Sequence, residues 1–173
     1  TFREAHAYTQ PVSEWLKHNE KSLRTLFVVL AGGGHGIESQ LLSLQEWKDF
    51  CRAVNLIATD VTEREVTLAF VWSRMCVVDG RSERGHIKES QLPFEGFLES
   101  ICRVAAMKAF PTDEEIFAYG CRDAAEYLAR LKKEDPTAYE QMLRERATEW
   151  GEAPPQPVGR CIAHAVSFII RAI

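Results

Sequence analysis

Residues 61–107 constrain the fold more than any other stretch of the chain. Apolar residues recur there at three- and four-residue spacing on both sides of a polar connection, which predicts two amphipathic helices. The second helix begins at Leu92-Pro93-Phe94, where a proline is tolerated in the first turn. The connection, residues 79–91, is rich in charged side chains, and we expect it to be a surface loop.

Helical periodicity extends through most of the remaining chain. It predicts helices over residues 12–30, 44–54, 62–77, 112–133 and 136–147, whereas residues 1–10 carry no clear period and are expected to be a loose lead-in. Three of these helices begin at a Ser or Thr followed three residues later by Glu, the capping-box pattern, at Ser43, Thr62 and Thr112. No segment shows the sustained two-residue alternation of strands. The sequence therefore predicts an all-α fold with one helical domain over residues 1–150.

The chain ends in a second unit. Residues 151–157 contain three prolines, which predicts a stiff linker. Residues 158–173 then form an amphipathic helix, with His164 on its polar, solvated side. This helix either packs back on its own chain or mediates association, including a homodimer, through its apolar stripe of Val158, Cys161, Ile162, Ala165, Phe168 and Ile169.

Composition excludes several classes of protein. Hydrophobic residues make up 46% of the 173 positions, which is typical of a folded domain rather than a disordered segment. The net charge is -4 and basic residues are scattered, so we expect no nucleic-acid partner. No apolar run approaches the ~20 residues needed to span a membrane. The five cysteines lie far apart in sequence, which predicts reduced thiols in an intracellular protein. They are Cys51, Cys76, Cys102, Cys121 and Cys161.

No motif predicts a catalytic or metal site. The glycine-rich residues 32–36 lack the Lys and the preceding strand of a phosphate-binding loop, so we interpret them as a helix terminator and connection. The five histidines are too far apart in sequence for metal-ligand spacing, and no nucleophile motif is present. The sequence therefore predicts a non-enzymatic protein without cofactor or metal. An enzyme of unrecognised class remains an alternative, because a pocket can be assembled from distant residues.

The packing pattern of residues 44–110 resembles a known motif. The residues that carry the likeness are Trp47, Cys51, Val61, Val66, Phe70, Leu92-Pro93-Phe94-Glu95-Gly96-Phe97-Leu98 and Ala105. This pattern is similar to a degenerate EF-hand pair, such as that of the tubulin polymerisation-promoting protein family and of EF-hand-like modules in axonemal proteins. The resemblance implies an EF-hand-like helix pair with additional N- and C-terminal helices, and it places Val61 at the pairing position of the first loop.

The loops lack most calcium ligands. An EF-hand loop supplies oxygen ligands at alternating positions and ends in a bidentate Glu. In the second loop Gly96 stands at that last position, and Gly85, Ile87 and Glu89 stand at the first three. In the first, placed between the helices over 44–54 and 62–77, the oxygen ligands are Asn55, Thr59 and Asp60, with Glu65 last. We therefore expect no bound calcium, with a calcium sensor using a non-standard loop as the alternative.

The resemblance implies a protein that works by binding other proteins. It points to tubulin or another cytoskeletal or flagellar partner, and to a location in the cytoplasm, the cytoskeleton or a cilium. Trp47, Trp72 and Met75 are candidates to line a groove for that partner, and the alternative is that they fill the core. The stripe of the C-terminal helix, residues 158–169, completes the set of candidate partner-binding residues.

Overall fold

The computed structural model describes residues 1–32, 41–75 and 81–173. Residues 33–36 of the glycine-rich segment, Cys76, and the start of the charged connection at Asp79 lie outside these ranges. Within them the all-α prediction is confirmed. The described residues form a π-helical turn, Arg3–Ala7, and ten α-helices: α1 (Gln10–His18), α2 (Glu20–Leu30), α3 (Leu44–Ala53), α4 (Glu63–Ser73), α5 (Glu83–Ser90), α6 (Phe94–Met107), α7 (Asp113–Ala118), α8 (Ala124–Glu134), α9 (Pro136–Arg146) and α10 (Val158–Ala172).

Side-chain caps fix where the predicted helices begin. The three capping boxes are confirmed, because Ser43, Thr62 and Thr112 each accept a backbone N–H of the first turn while the Glu three residues later accepts the backbone N–H of the cap. Asp135 caps α9 as its position before Pro136 predicts, with Oδ1 accepting the Ala138 N–H at 2.9 Å. These contacts satisfy donors that a helix leaves free at its start.

Four predicted boundaries are wrong. The helix expected over residues 62–77 ends at Ser73, where Arg74 takes an extended conformation. The helix expected over residues 12–30 is interrupted at Asn19, which separates α1 from α2 and whose side-chain amide donates to the Trp15 carbonyl oxygen at 2.9 Å. The helix expected over 112–133 is interrupted at Gly120, where φ is +69°, a left-handed conformation that glycine adopts without strain. The charged connection is not entirely loop, since it contains α5, capped by the Ser82 hydroxyl accepting the Gly85 N–H at 3.0 Å.

An antiparallel bridge joins two helix–loop–helix units, α2–α3 and α4–α6. Leu42, just before α3, and Leu92, just before α6, exchange two N–H···O=C hydrogen bonds of 2.8 Å. The expectation that Val61 occupies this pairing position is wrong, because the Val61 carbonyl accepts the Ala58 N–H within the short α3–α4 connection. The α3–α4 connection joins the two units.

Phe97 on α6 is the centre of the core. Its side chain is fully buried, and its ring centroid lies 5.5 Å from that of Phe27, 6.1 Å from Trp47, 6.0 Å from Phe50 and 6.4 Å from Phe94. These rings come from α2, α3 and α6, so one aromatic cluster ties both helix–loop–helix units together. Separations of this size are typical of stabilising aromatic pairs.

The C-terminal helix α10 packs against α6, α1 and α8 of its own chain. The linker before it is held in place, since the Gln156 amide donates to the carbonyl oxygens of Phe110 and Pro111 at 3.0 and 3.1 Å. The buried apolar stripe of α10 therefore extends the core begun by the two helix–loop–helix units.

His164 is buried, so the prediction of a solvated side chain is wrong. Its ring lies against Phe110, and its Nε2 is 3.7 Å from Asp113 Oδ1, without a hydrogen bond to any described residue. Burial lowers the pKa of His164 below its usual value and the nearby Arg160 adds to this, while Asp113 and Asp123 oppose it. The ring of Phe110 lies over His164, and Asp113 at the start of α7 lies beside it, so this side of α10 is not open to solvent at His164.

Candidate partner-binding site

The structure separates the predicted partner-binding residues into an interior and a surface group. The interior group consists of Trp47 and five residues of the α10 stripe, all of them buried: Val158, Cys161, Ile162, Ala165 and Ile169. Phe168, the remaining residue of the stripe, is partly buried. Trp72 and Met75 instead have 59% and 51% of their surface exposed. Of the predicted set, these two are the large apolar side chains that a partner can reach without opening the fold.

Trp47 is part of the hydrophobic core. Its indole Nε1 donates to the Val66 carbonyl oxygen at 2.9 Å, and its ring packs on Phe50 and Phe97. A buried indole needs such an acceptor, and here it is supplied by the first turns of α4. Trp47 therefore joins α3 to α4 inside the core.

Trp72, near the C-terminal end of α4, lines a cleft of about 720 Å³. The cleft lies between the N-terminal segment, α6 and the residues that follow α9. We refer to it as the Trp72 cleft. Its larger side chains are Phe2, Arg3, His6, Trp72, Arg103, Met107, Glu149, Trp150 and Glu152.

A buried ion cluster forms one side of the Trp72 cleft. Glu99 of α6 accepts hydrogen bonds from Arg3 Nε at 3.0 and 2.9 Å and from Arg103 Nε and Nη2 at 3.0 and 2.7 Å. The Tyr8 hydroxyl donates to the same carboxylate at 3.3 Å, and burial together with Glu99 raises the pKa of Tyr8. Arg3 also donates to the Trp72 carbonyl oxygen at 3.3 Å, so the N-terminal segment is bound to the end of α4.

The sequence did not reveal most of this cleft. Residues 1–10 carry no helical period, yet Phe2 and Arg3 pack on α6, and the expectation of a loose lead-in is wrong. The contact between Arg3 and Glu99 spans 96 positions, for which a single sequence offers no local signal. Phe2 and Trp150 are aromatic residues outside the predicted helices, and their residue type is the signal that could have drawn attention to this side of the molecule.

In the second helix–loop–helix unit, packing is tight around Gly96, the residue that the resemblance puts at the last ligand position. A Cβ placed on Gly96 would lie 3.0 Å from the Ser73 carbonyl oxygen and 3.0 Å from Leu92 Cδ2. A glutamate would meet the end of α4 there. Gly85, Ile87 and Glu89, which the sequence places at the first three ligand positions, belong to the helix α5 rather than to a loop, and the Ile87 carbonyl oxygen accepts the Gln91 N–H.

In the first unit, the bridge assigns the last ligand position to a different residue from the one expected. Gly96 follows Leu92 by four residues, and Glu46 follows Leu42 by four. Relative to the bridge, Glu46 therefore stands where Gly96 stands in the second unit, whereas the sequence prediction used Glu65. Its Oε2 accepts the Ser43 N–H at 2.8 Å and the Ser43 hydroxyl at 2.7 Å, so this carboxylate is used as a helix cap.

Reactive side chains are held in unreactive surroundings. Burial raises the pKa of Cys102 to about 12 and that of Cys161 to about 11, and it raises the pKa of Cys51 as well. These thiols are protonated at neutral pH and act as small apolar groups. Within residues 1–32, 41–75 and 81–173, no three His, Cys, Asp or Glu side chains converge as a metal site.

Two further findings bear on function. No helix in the described part of the chain is long and apolar enough to cross a membrane. Comparison of the chain with models of protein families, with curated proteins and with solved structures found no match. Function is therefore inferred from the chain's own geometry and from the resemblance of residues 44–110.

Proposed function

We propose that this chain is a non-catalytic protein-interaction module that binds its partner at the Trp72 cleft without calcium. The observation that carries the proposal is the exposure of Trp72 and Met75 at the end of α4, next to a cleft with the aromatic side chains of Phe2 and Trp150 in its walls. Tryptophan and methionine are enriched in protein interfaces, and tryptophan is among the residues that dominate binding energy. A solvent-exposed tryptophan beside a concave aromatic surface fits that role.

The rigidity of the surrounding helices supports a binding role. Trp72 stands on α4, whose opposite side packs on α6 through buried Val66, Ala69 and Phe70. The hydrogen bond from Arg3 holds the backbone of Trp72 itself. A side chain presented by a fixed backbone loses little further freedom on binding, which favours affinity.

The cellular setting follows from the resemblance to tubulin polymerisation-promoting and axonemal EF-hand-like modules. We place the protein in the cytoplasm, on the cytoskeleton or in a cilium, with tubulin or another cytoskeletal protein as partner. The tight packing around Gly96 supports a module that keeps the packing of an EF-hand pair and binds without metal.

Co-sedimentation with stabilised microtubules at low salt tests this function. We expect the wild-type chain to pellet in the presence of a calcium chelator and Trp72→Ala to stay in the supernatant. Phe117→Ala is the matched control, because Phe117 is an aromatic side chain with 86% of its surface exposed, on α7 and outside the cleft. Wild-type protein that fails to pellet contradicts the tubulin partner, and equal pelleting of wild type and Trp72→Ala contradicts binding through the cleft.

Glu46 favours a second candidate function, a calcium sensor with a non-standard first loop. Its carboxylate stands at the last ligand position by the register of the Leu42–Leu92 bridge. Counting back along the sequence assigns the first three ligand positions to His35, Ile37 and Ser39, of which Ser39 alone carries a side-chain oxygen. A calcium titration separates the two functions.

A homodimer through α10 is a further proposal. It would use Phe168, Ile170 and Ile173, because the other large apolar side chains of this helix are buried in the chain's own core. Sedimentation equilibrium of the wild type and of Ile170→Glu tests it. A monomer at all concentrations contradicts the dimer.

A further inference from the structure

The ion cluster beside the Trp72 cleft holds more positive than negative charge. Two guanidinium groups, of Arg3 and Arg103, share the single carboxylate of Glu99. Glu99 and Arg103 are 4% and 8% exposed, so water screens their charges weakly, whereas Arg3 is 38% exposed and open to the cleft. The Glu99 carboxylate already accepts hydrogen bonds from both arginines and from Tyr8. One positive charge therefore remains without a carboxylate partner within the cluster.

Arg103 is oriented by its neighbours and retains an unused donor. Its Nε and Nη2 donate to Glu99, whereas its Nη1 has no hydrogen-bond partner among the described residues. The guanidinium carbon lies 4.6 Å from the ring centroid of Phe2 and 5.6 Å from that of Trp150, and these contacts fix the plane of the group. A planar, always-charged donor held in this way suits a carboxylate.

The rim of the cleft limits what can bind. Glu149 and Glu152 also line it, and the Glu152 carboxylate accepts the Glu149 N–H at 3.3 Å within its own turn. These acids repel a ligand with several negative charges and leave room for one carboxylate near Arg103. Trp72 and Trp150 supply apolar surface around that point.

We infer that the Trp72 cleft recognises a peptide segment of the partner that carries one carboxylate beside a large apolar side chain. The carboxylate binds Arg103 and Arg3, and the apolar side chain packs on Trp72 and Trp150. Met75 extends the exposed apolar surface three residues beyond Trp72, which favours a segment of chain over a ligand confined to the cleft. This inference rests on the proposed function, whose partner it defines by chemistry.

Titration of the full chain with model peptides, followed by the indole N–H signals in ¹⁵N-resolved NMR spectra, tests the inference. The probes are an acetylated tetrapeptide of alanines and a final phenylalanine with a free carboxylate, the same peptide as its C-terminal amide, and phenylacetate. We expect the acid to shift the Trp72 and Trp150 signals at saturable concentrations and to bind at least about tenfold more tightly than the amide. The Trp47 signal is an internal control, because its N–H is committed to Val66 inside the core.

Two variants complete the design. Trp72→Ala, at an exposed position, should abolish the shift of the Trp150 signal, and Phe117→Ala should leave it unchanged. Equal affinity for the peptide acid and the peptide amide would overturn the inference that the cleft recognises a carboxylate. Phenylacetate binding as tightly as the peptide acid overturns a peptide ligand in favour of a small acid.

The peptide titration and the microtubule assay together distinguish failure of this inference from failure of the proposed function. Failure of every probe, together with loss of microtubule binding in Trp72→Ala, overturns the carboxylate inference and leaves the proposed function standing. Probe binding without microtubule pelleting supports the inference and contradicts the tubulin partner.

Discussion

Removing one partner of the Asp60–Lys108 ion pair should destabilise the protein severely. The two side chains are 0% and 1% exposed, and Lys108 Nζ lies 3.1 Å from both carboxylate oxygens of Asp60. Asp60 also accepts the Ala109 N–H at 2.9 Å, so the pair ties the α3–α4 connection to the end of α6. Breaking a buried pair leaves a charge without compensation, which costs about 3–5 kcal/mol.

We expect Asp60→Asn and Lys108→Met each to lower the free energy of unfolding by about 3–5 kcal/mol. The double variant should lose far less than the sum, because it leaves no unpaired charge and its Asn oxygen can still accept the Ala109 N–H. A coupling free energy of at least about 2 kcal/mol is therefore expected in the double-mutant cycle.

Urea denaturation followed by far-ultraviolet circular dichroism measures these values. A parallel cycle on Arg130 and Glu134, an exposed pair four residues apart on α8, serves as the control and should show little coupling. Single substitutions that each cost less than about 1 kcal/mol, with additive effects in the double variant, would refute the reasoning, since such values belong to surface pairs.

Three further outcomes follow from the core and the caps. Phe97→Ala should cost about 3–5 kcal/mol in urea denaturation, because four aromatic rings pack on Phe97, whereas exposed Phe117→Ala should cost little. Gly96→Ala should destabilise by about 1–3 kcal/mol although alanine favours helices, since its Cβ would lie 3.0 Å from the Ser73 oxygen, and a more stable variant would contradict this packing. The Glu115 pKa is lowered from 4.5 to about 2, chiefly by hydrogen bonds from Arg146. The ionised Glu115 carboxylate therefore stabilises the fold above pH 4.5, and this stabilisation is lost as the pH falls towards 2. In acid denaturation, Glu115→Gln should lose the part of the free energy of unfolding that depends on pH between 4.5 and 2. A pH profile identical to that of the wild type would contradict this prediction.

Local signals explain the parts of the fold that the sequence predicts correctly. Caps such as Ser43 and Thr112 and the apolar period of α10 depend on residues within a few positions of one another, and the structure confirms them. The break at Gly120 depends on a backbone angle that a helical period does not encode. Helix α5 escaped prediction because it is short and mostly exposed, so no apolar stripe marks it.

The binding cleft depends on contacts between distant parts of the chain. Trp72 was predicted as a candidate from its type and helix, but its exposure beside Phe2 and Trp150 follows from the docking of the N-terminal segment on α6. Trp47 has the same residue type and lies inside, because its position on α3 faces Phe97. Residue type and period identify large apolar side chains, and tertiary packing decides which of them remain on the surface.

The register of the two loops likewise required the structure. Periodicity predicts the helices that begin near residues 44 and 62, although α4 ends at Ser73 rather than near residue 77, and it does not say which connection pairs with Leu92. The two hydrogen bonds between Leu42 and Leu92 show which connection pairs with Leu92, and under the proposed EF-hand register the candidate last ligand is then Glu46 instead of Glu65.

A calcium titration by isothermal calorimetry tests the central claim, binding without calcium, most directly. We predict no saturable heat at micromolar calcium for the wild type, because Gly96 supplies no side-chain oxygen at the position proposed for the last ligand of the second loop and Glu46 is committed to the cap of α3. Glu46→Gln should give the same flat titration. Saturable micromolar binding by the wild type that Glu46→Gln abolishes would contradict the account and establish the first loop as a calcium site.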